Sequence, residues 1–267
     1  MLTIKPPDIN IGQLQTARGK VLTRLTGKTE TIAVVEQDNL RWLRFSGGSI
    51  QSAMWMQEPA YPALDYIQAM LCSLLYTGYP ARLLNLGLGS GVIERFLISQ
   101  LPDVTTVSVE LDPDIVKIAR EYFHLPPAHP VTLASAQRFL QNSNDTFDII
   151  LCDIYTKDAN INPLHSPDFF RDAAHSLMPN GVLAINCLPE TEAEMVELLL
   201  KVRVYLPWVM LYDVPDQQNI ILLCSRTKYP SASDIIHRAH ELNESIGLDL
   251  SSICAGWVRV PVGSQHN

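Results

Sequence analysis

The sequence predicts an α/β fold: a Rossmann-like sheet of parallel strands closed by an antiparallel hairpin, with a small N-terminal β-segment. Three observations carry the prediction. From Ala81 onward, short apolar runs alternate with amphipathic stretches at helical spacing, as strands covered on both faces do. A glycine turn, Gly87-x-Gly89-x-Gly91, joins the first such run to the first such helix. Near the end, "WVMLYDV" and "NIILLCS" are separated only by "PDQQ", a connection short enough to make them antiparallel neighbours.

At 267 residues the chain is long enough for one large domain with a small appendage. We expect residues 1–61 to form an N-terminal β-strand segment and residues 62–267 the main domain, including a C-terminal helix. The opening twenty residues are weakly patterned and read as irregular. Residues 31–36 and 40–45 are rich in β-branched and apolar types, and Gly47-Gly48 marks a turn before "SIQSAMW"; together they predict an antiparallel meander. Leu64, Ile67, Leu71, Leu74 and Leu75 recur at helical spacing between Pro62 and Tyr76. Then come strand "RLLNLG", helix "VIERFLISQL", strand "TTVSVEL" and helix "DPDIVKIAREYF", the last opened by Asp112 as cap and Pro113 at its first position. Strand "VTLA", short helix "AQRFLQN", strand "FDIILCDI" and helix "PDFFRDAAHSL" follow. "MPNG" reads as a turn before strand "GVLAINCL", and "ETEAEMVELLLKVRVYL" as a long helix on the sheet. After the hairpin, "SASDIIHRAHEL" is one more helix.

Composition excludes several function classes. The formal net charge is −8 with no basic cluster, which argues against a nucleic-acid partner. No apolar run reaches the length of a membrane span, and the start "MLTIKPPDIN" lacks the order of a signal peptide. Five scattered cysteines, several inside apolar runs, fit small buried thiols in a reduced compartment. The expectation is a soluble, cytoplasmic protein. His237 and His240 lie three apart on the last helix, without a third ligand at fitting spacing, so no metal site is expected.

Glycine between a strand and a helix lets the backbone turn tightly and approach a ligand. Three nearby glycines equally describe a tight turn with close helix packing. The next strand ends in "VELD", and a carboxylate at that tip, Glu110, is placed to accept hydrogen bonds from ribose hydroxyls. A ribose carboxylate does not separate a nicotinamide from a sulfonium cofactor. The closing hairpin does, because it is the layout of class I S-adenosylmethionine-dependent enzymes.

"LLNLGLGSGVIERFL", "VSVELDPDIVKIAREYF", "FDIILCDIY" and "SPDFFRDAAHSLMPNGVLAIN" together resemble the spermidine synthase (polyamine aminopropyltransferase) family and its spermidine-synthase-like relatives. The upstream "LRWLRFSGGSIQSAMW" and "YIQAML" resemble that family's N-terminal strands and following helix. The resemblance runs from about residue 30 to about 225. It implies that Glu110 binds ribose, that Asp153 is the catalytic base or amine-orienting acid, that Gln51 lies near the active-site mouth, and that Tyr66 is the family's tyrosine that follows it. Tyr155 joins Asp153 and Tyr66 as a candidate to orient the amine. The cofactor set is then Gln51, Gly87, Gly89, Ser90, Gly91, Glu110, Leu111, Ser135, Ala136 and Asp153. The cofactor implied is S-adenosylmethionine or its decarboxylated form, and the partners are a small-molecule amine or other acceptor and, by resemblance, a second copy in a homodimer.

The chain also departs from the family pattern. Ser90 stands where the family has an Asp that pairs with the ammonium of decarboxylated S-adenosylmethionine, and Ser135 where it has an acid near adenine. Ile67 and Gln68 replace His and Glu, and Thr156 replaces a second Asp. A site for a polyamine needs carboxylates at matching intervals, and each charge-assisted bond contributes roughly 1.5–3 kcal/mol. Glu58, Asp65 and Asp158 are possible substitutes. The expected activity is aminopropyl transfer to an amine; methyl transfer in the same pocket and cofactor binding without catalysis are the alternatives. His165, in the loop after Asp153, is a further functional candidate. Trp42 and Trp55 read as core or as a dimer surface.

Overall fold

The computed structural model of the chain describes residues 11–26, 31–48, 50–154 and 162–261. It opens with α1 (Ile11–Thr16), β1 (Lys20–Thr26), β2 (Thr31–Gln37), β3 (Leu40–Phe45) and β4 (Ile50–Trp55). Next come α2 (Asp65–Leu71), α3 (Leu74–Thr77), β5 (Arg82–Leu86), α4 (Val92–Gln100), β6 (Thr105–Glu110), α5 (Pro113–Tyr122), β7 (Val131–Leu133) and α6 (Ala136–Asn142). The second half holds β8 (Phe147–Cys152), α7 (Pro167–His175), β9 (Leu177–Cys187), α8 (Glu192–Arg203), β10 (Trp208–Asp213), β11 (Ile220–Ser225), α9 (Ala232–Ile246), α10 (Ser251–Cys254) and β12 (Val258–Val260).

The first four strands form an antiparallel sheet in sequential order. Its period-two alternation buries both faces. Ile32, Val34, Leu43 and Met54 pack against Ile115, Ile118 and Phe123 on and beside α5. Ala33, Val35, Trp42 and Ala53 join the core formed with α2 and α4. Trp42 and Trp55 are therefore buried side chains, the core alternative of the two expected for them.

The second sheet has the order β12-β10-β11-β9-β8-β5-β6-β7. β5 to β9 pair in parallel, while β11 is antiparallel to β9 and β10. This is the predicted parallel sheet with its closing hairpin. The chain runs outward from β5 through β6 and β7, then returns to β8 on the other side of β5. The carboxyl ends of β5, β6 and β8 thus flank a topological switch point, where open α/β sheets hold ligands. Asp112 caps α5 by accepting from the Asp114 N–H at 2.9 Å, with Pro113 at the first position; such a cap contributes about 1 kcal/mol.

Some elements differ from expectation. The helix over 62–76 breaks into α2 and α3, because tight three-residue bonds such as Ser73 N–H to the Met70 carbonyl interrupt it. "MPNG" lies inside β9, at an irregularity where Phe147 pairs with Leu177 but Ile149 with Val182. α1, β1, α10 and β12 were not expected, and β12 extends the sheet beyond β10. Among the described residues no helix is long and apolar enough to cross a membrane.

Candidate active site

A cavity of about 550 Å³ opens at the carboxyl ends of β5, β6 and β8, roofed by Ile32, Leu43 and Phe45 of the N-terminal sheet. Gln51, Gly87, Gly89, Glu110, Leu111, Ser135, Ala136 and Asp153 of the expected site all line it. Its described lining carries three carboxylates, Glu110, Asp112 and Asp153, and no lysine, arginine or histidine.

The glycines have separate reasons to be glycine. Gly87 has φ +96°, and a Cβ there would overlap the Asp153 carbonyl. The turn therefore sits directly against the strand that ends in Asp153. Gly89 has φ +55° and open space where a Cβ would stand. It is the place where backbone lies bare to the cavity.

Two members of the expected cofactor set do not line the cavity. Gly91, at φ +73°, packs against Leu125. Ser90 is fully buried, with its Oγ 2.5 Å from the Ser52 Oγ and its carbonyl accepting from Arg95 at 2.6 Å. The hydroxyl is committed to the N-terminal sheet, so the Ser90 side chain does not face the ligand space. Beneath the turn, fully buried Glu94 accepts from Asn85 and Ser108, both at 2.7 Å, and ties β5 to β6.

Glu110 holds backbone as well as facing the cavity. Its carboxylate accepts from Leu88 N–H at 3.1 Å, Leu111 N–H at 2.7 Å and Asp112 N–H at 2.9 Å. Burial pushes its pKa above the usual range, against the pull of these donors and with a smaller push from Asp112. Ser135 caps α6 by accepting from Arg138 N–H.

Asp153 follows β8 and is held on both oxygens. Asn186, at the end of β9, donates to Oδ1 at 2.8 Å. The Tyr66 hydroxyl on α2 lies 3.2 Å from Oδ2 and 3.0 Å from the Gln51 carbonyl. Burial raises the Asp153 pKa; the bonds from Asn186 and Tyr66 lower it, and Glu94 adds a smaller upward push. Tyr66 therefore stands behind Asp153, buried. Asn186 in turn accepts from Asn219 at 2.9 Å. The sequence reading missed both asparagines; a polar residue closing the apolar run "VLAIN" was the available signal.

Tyr155, Thr156 and Asp158 lie outside the described residues. Ile67 is core, and Gln68 donates to the Pro62 carbonyl at 2.9 Å and the Tyr61 hydroxyl at 3.3 Å. Neither Glu58, Asp65 nor His165 lines the cavity. His237 pairs with Glu241 on the exposed face of α9.

No family model matches the chain. It is 27% identical over 233 residues to a polyamine aminopropyltransferase of Neisseria meningitidis serogroup B, covering 84% of this chain and 88% of that protein. A polyamine aminopropyltransferase of Chromobacterium violaceum is 31% identical over 158 residues, 58% of this chain and 60% of that one. An N-terminal histidine N-methyltransferase of Emericella nidulans is 26% identical over 191 residues, 65% of this chain but 34% of that protein. Among solved structures, a spermidine synthase in complex with the transition-state analogue AdoDATO aligns with TM-score 0.70 and 15% identity, over 90% of this chain and 85% of that one. Human methyltransferase-like protein 13 in complex with SAH aligns with TM-score 0.63 and 18% identity, over 69% and 93%. By sequence the chain is similar to polyamine aminopropyltransferases, and its fold is the one shared by these spermidine synthase and methyltransferase structures.

Proposed function

We propose that the chain is a transferase that moves an aminopropyl group from decarboxylated S-adenosylmethionine to an amine acceptor. The observation that carries this is the cavity's charge: three carboxylates and no cationic side chain among its described lining, suited to a sulfonium donor and an amine. The bare backbone at Gly89 and the carboxylate of Glu110 fit an adenosyl group, Glu110 as ribose acceptor and Leu111, Ser135 and Ala136 beside the base. Bound there, the sulfonium supplies an electrophilic carbon and a thioether leaving group.

The chain's own residues align the acceptor and manage its proton. Asp153 accepts the proton lost by the attacking amine. The Tyr66 hydroxyl has one proton and two acceptors within reach, Asp153 Oδ2 and the Gln51 carbonyl. When Asp153 is ionised it competes for that proton. When Oδ2 is protonated it donates to Tyr66, and Tyr66 donates to Gln51, so every group is paired. The carboxyl that has taken up the proton is thus fully paired, while the raised pKa of Asp153 comes from burial, against the pull of the Asn186 and Tyr66 bonds.

Methyl transfer is the second reading. The methyltransferase relative and neighbour favour it, as does the Ser90 position, where no acid marks the decarboxylated donor. Incubating the protein with each donor and a panel of mono- and diamines, with mass spectrometry of products, separates the two. Methylthioadenosine with an aminopropylated amine is the expected result. S-adenosylhomocysteine with a methylated amine supports the second reading, and no product from any pair contradicts both.

A further inference from the structure

We propose that Asn219, acting through Asn186, determines which oxygen of Asp153 takes the proton, and that both asparagines are positioning residues for the transfer. This rests on the reading of Asp153 as proton acceptor. Asn219, the residue just before β11, donates to Asn186 Oδ1 at 2.9 Å; Asn186 donates to Asp153 Oδ1 at 2.8 Å. A side-chain amide offers oxygen on one side and N–H on the other. A flipped Asn186 would set its oxygen against Asp153 Oδ1 and its N–H against the Asn219 N–H. Two like-facing contacts oppose the flip, one at each end, so Asn186 presents a donor to Oδ1. An oxygen facing a fixed donor is kept as an acceptor, which leaves Oδ2 as the protonation site. Oδ2 is the oxygen beside Tyr66, the group able to accept from a protonated carboxyl.

The same turn also reaches the helix that carries Tyr66. Gln217 Nε2 lies 3.3 Å from Asp65 Oδ2, one residue before Tyr66 on α2. The segment between β10 and β11 therefore touches Asn186, which supports Oδ1, and the residue next to Tyr66. Among the described residues, the titratable groups that act on Asp153 are Tyr66 from α2, Glu94 from α4 and Cys152 from β8. Asn186 and Asn219 add no charge, so replacing them changes hydrogen bonding to Asp153 without altering the surrounding charges.

The test is a titration of ¹³C-labelled aspartate carboxyl carbons by NMR in the intact protein, with Asp153→Asn identifying the resonance. In Asn186→Ala the Asp153 midpoint is expected to rise by about one pH unit, since an ionised oxygen loses its donor. Asn219→Ala is expected to raise it less. The double variant is expected to move no further than Asn186→Ala alone, because Asn219 acts only through Asn186. An unmoved midpoint in the single variants, or a double variant equal to their sum, overturns the proposal. Should Asn186→Ala not fold, Asn186→Ser retains a hydroxyl donor and is expected to titrate between wild type and Asn219→Ala; a midpoint above that of Asn219→Ala counts against it. The titration needs no turnover, so failure of the transfer reading shows separately, as absence of product with a normal Asp153 titration.

Discussion

The Tyr66 hydroxyl sits 3.2 Å from Asp153 Oδ2, joining a helix to the end of a strand across 87 residues of sequence. Removing it tests the proton account. Tyr66→Phe is expected to lower kcat by about 10- to 100-fold, the size of one hydrogen bond to a charged group. KM for the donor is expected to change little, since Tyr66 does not line the cavity. Steady-state kinetics on a variant with an unchanged melting profile checks both.

Asp153 also gives a stability test. Its pKa is raised above the ordinary carboxylate value, burial being the main cause. Between its unfolded and folded pKa values the native state binds more protons than the unfolded one, so stability falls as pH rises through that window. Asp153→Asn removes the ionisation and can pair with both Asn186 and Tyr66. The variant is expected to melt above wild type near pH 7, with the gap closing below about pH 4, where both side chains are neutral. Melting curves at the two pH values decide it, and activity is expected to be lost.

The two cavity glycines are expected to fail differently. Gly87→Ala drives a methyl into the Asp153 carbonyl at a positive φ. It is expected to cost about 3 kcal/mol or more of stability. Gly89→Ala meets nothing in the fold, so only the left-handed backbone opposes it, at about 1 kcal/mol. Its methyl projects where a ligand would lie, and methylthioadenosine affinity is expected to fall at least about tenfold, or 1.4 kcal/mol. Denaturant melts and calorimetry distinguish the two variants.

Glu110 combines a structural and a binding role. Glu110→Ala strips an acceptor from three backbone N–H groups, each costing about 1–3 kcal/mol where burial leaves it unpaired. Both stability and adenosyl affinity are therefore expected to drop, whereas a carboxylate serving ribose alone would lose only affinity. Because the Glu110 pKa is raised, affinity in the wild type is expected to weaken on acidification sooner than an ordinary glutamate would allow. Calorimetry between pH 7 and pH 5 measures this.

Much of the architecture was legible because it is written in local pattern. Alternating apolar runs marked β5 to β9, the short "PDQQ" marked the hairpin, and Asp112-Pro113 marked the start of α5. Glu110 and Asp153 were legible because strand tips at a switch point face the ligand side. The orientation of Ser90 was not, since it depends on Ser52 from another sheet, 38 residues away. Asn186 and Asn219 were missed for a similar reason: their partners are 33 residues distant, and a polar residue closing an apolar run does not say what it pairs with. The strand running through "MPNG" was hidden because its residues carry turn chemistry, and the neighbouring β8 accommodates them only by a shift in register.

The most direct measurement is parallel calorimetric titration with decarboxylated S-adenosylmethionine, S-adenosylmethionine and methylthioadenosine. A cavity with three carboxylates and no described cation is expected to bind the decarboxylated donor at least about tenfold more tightly than its carboxylate-bearing parent. Preference for S-adenosylmethionine, or binding of none of the three, would contradict the account.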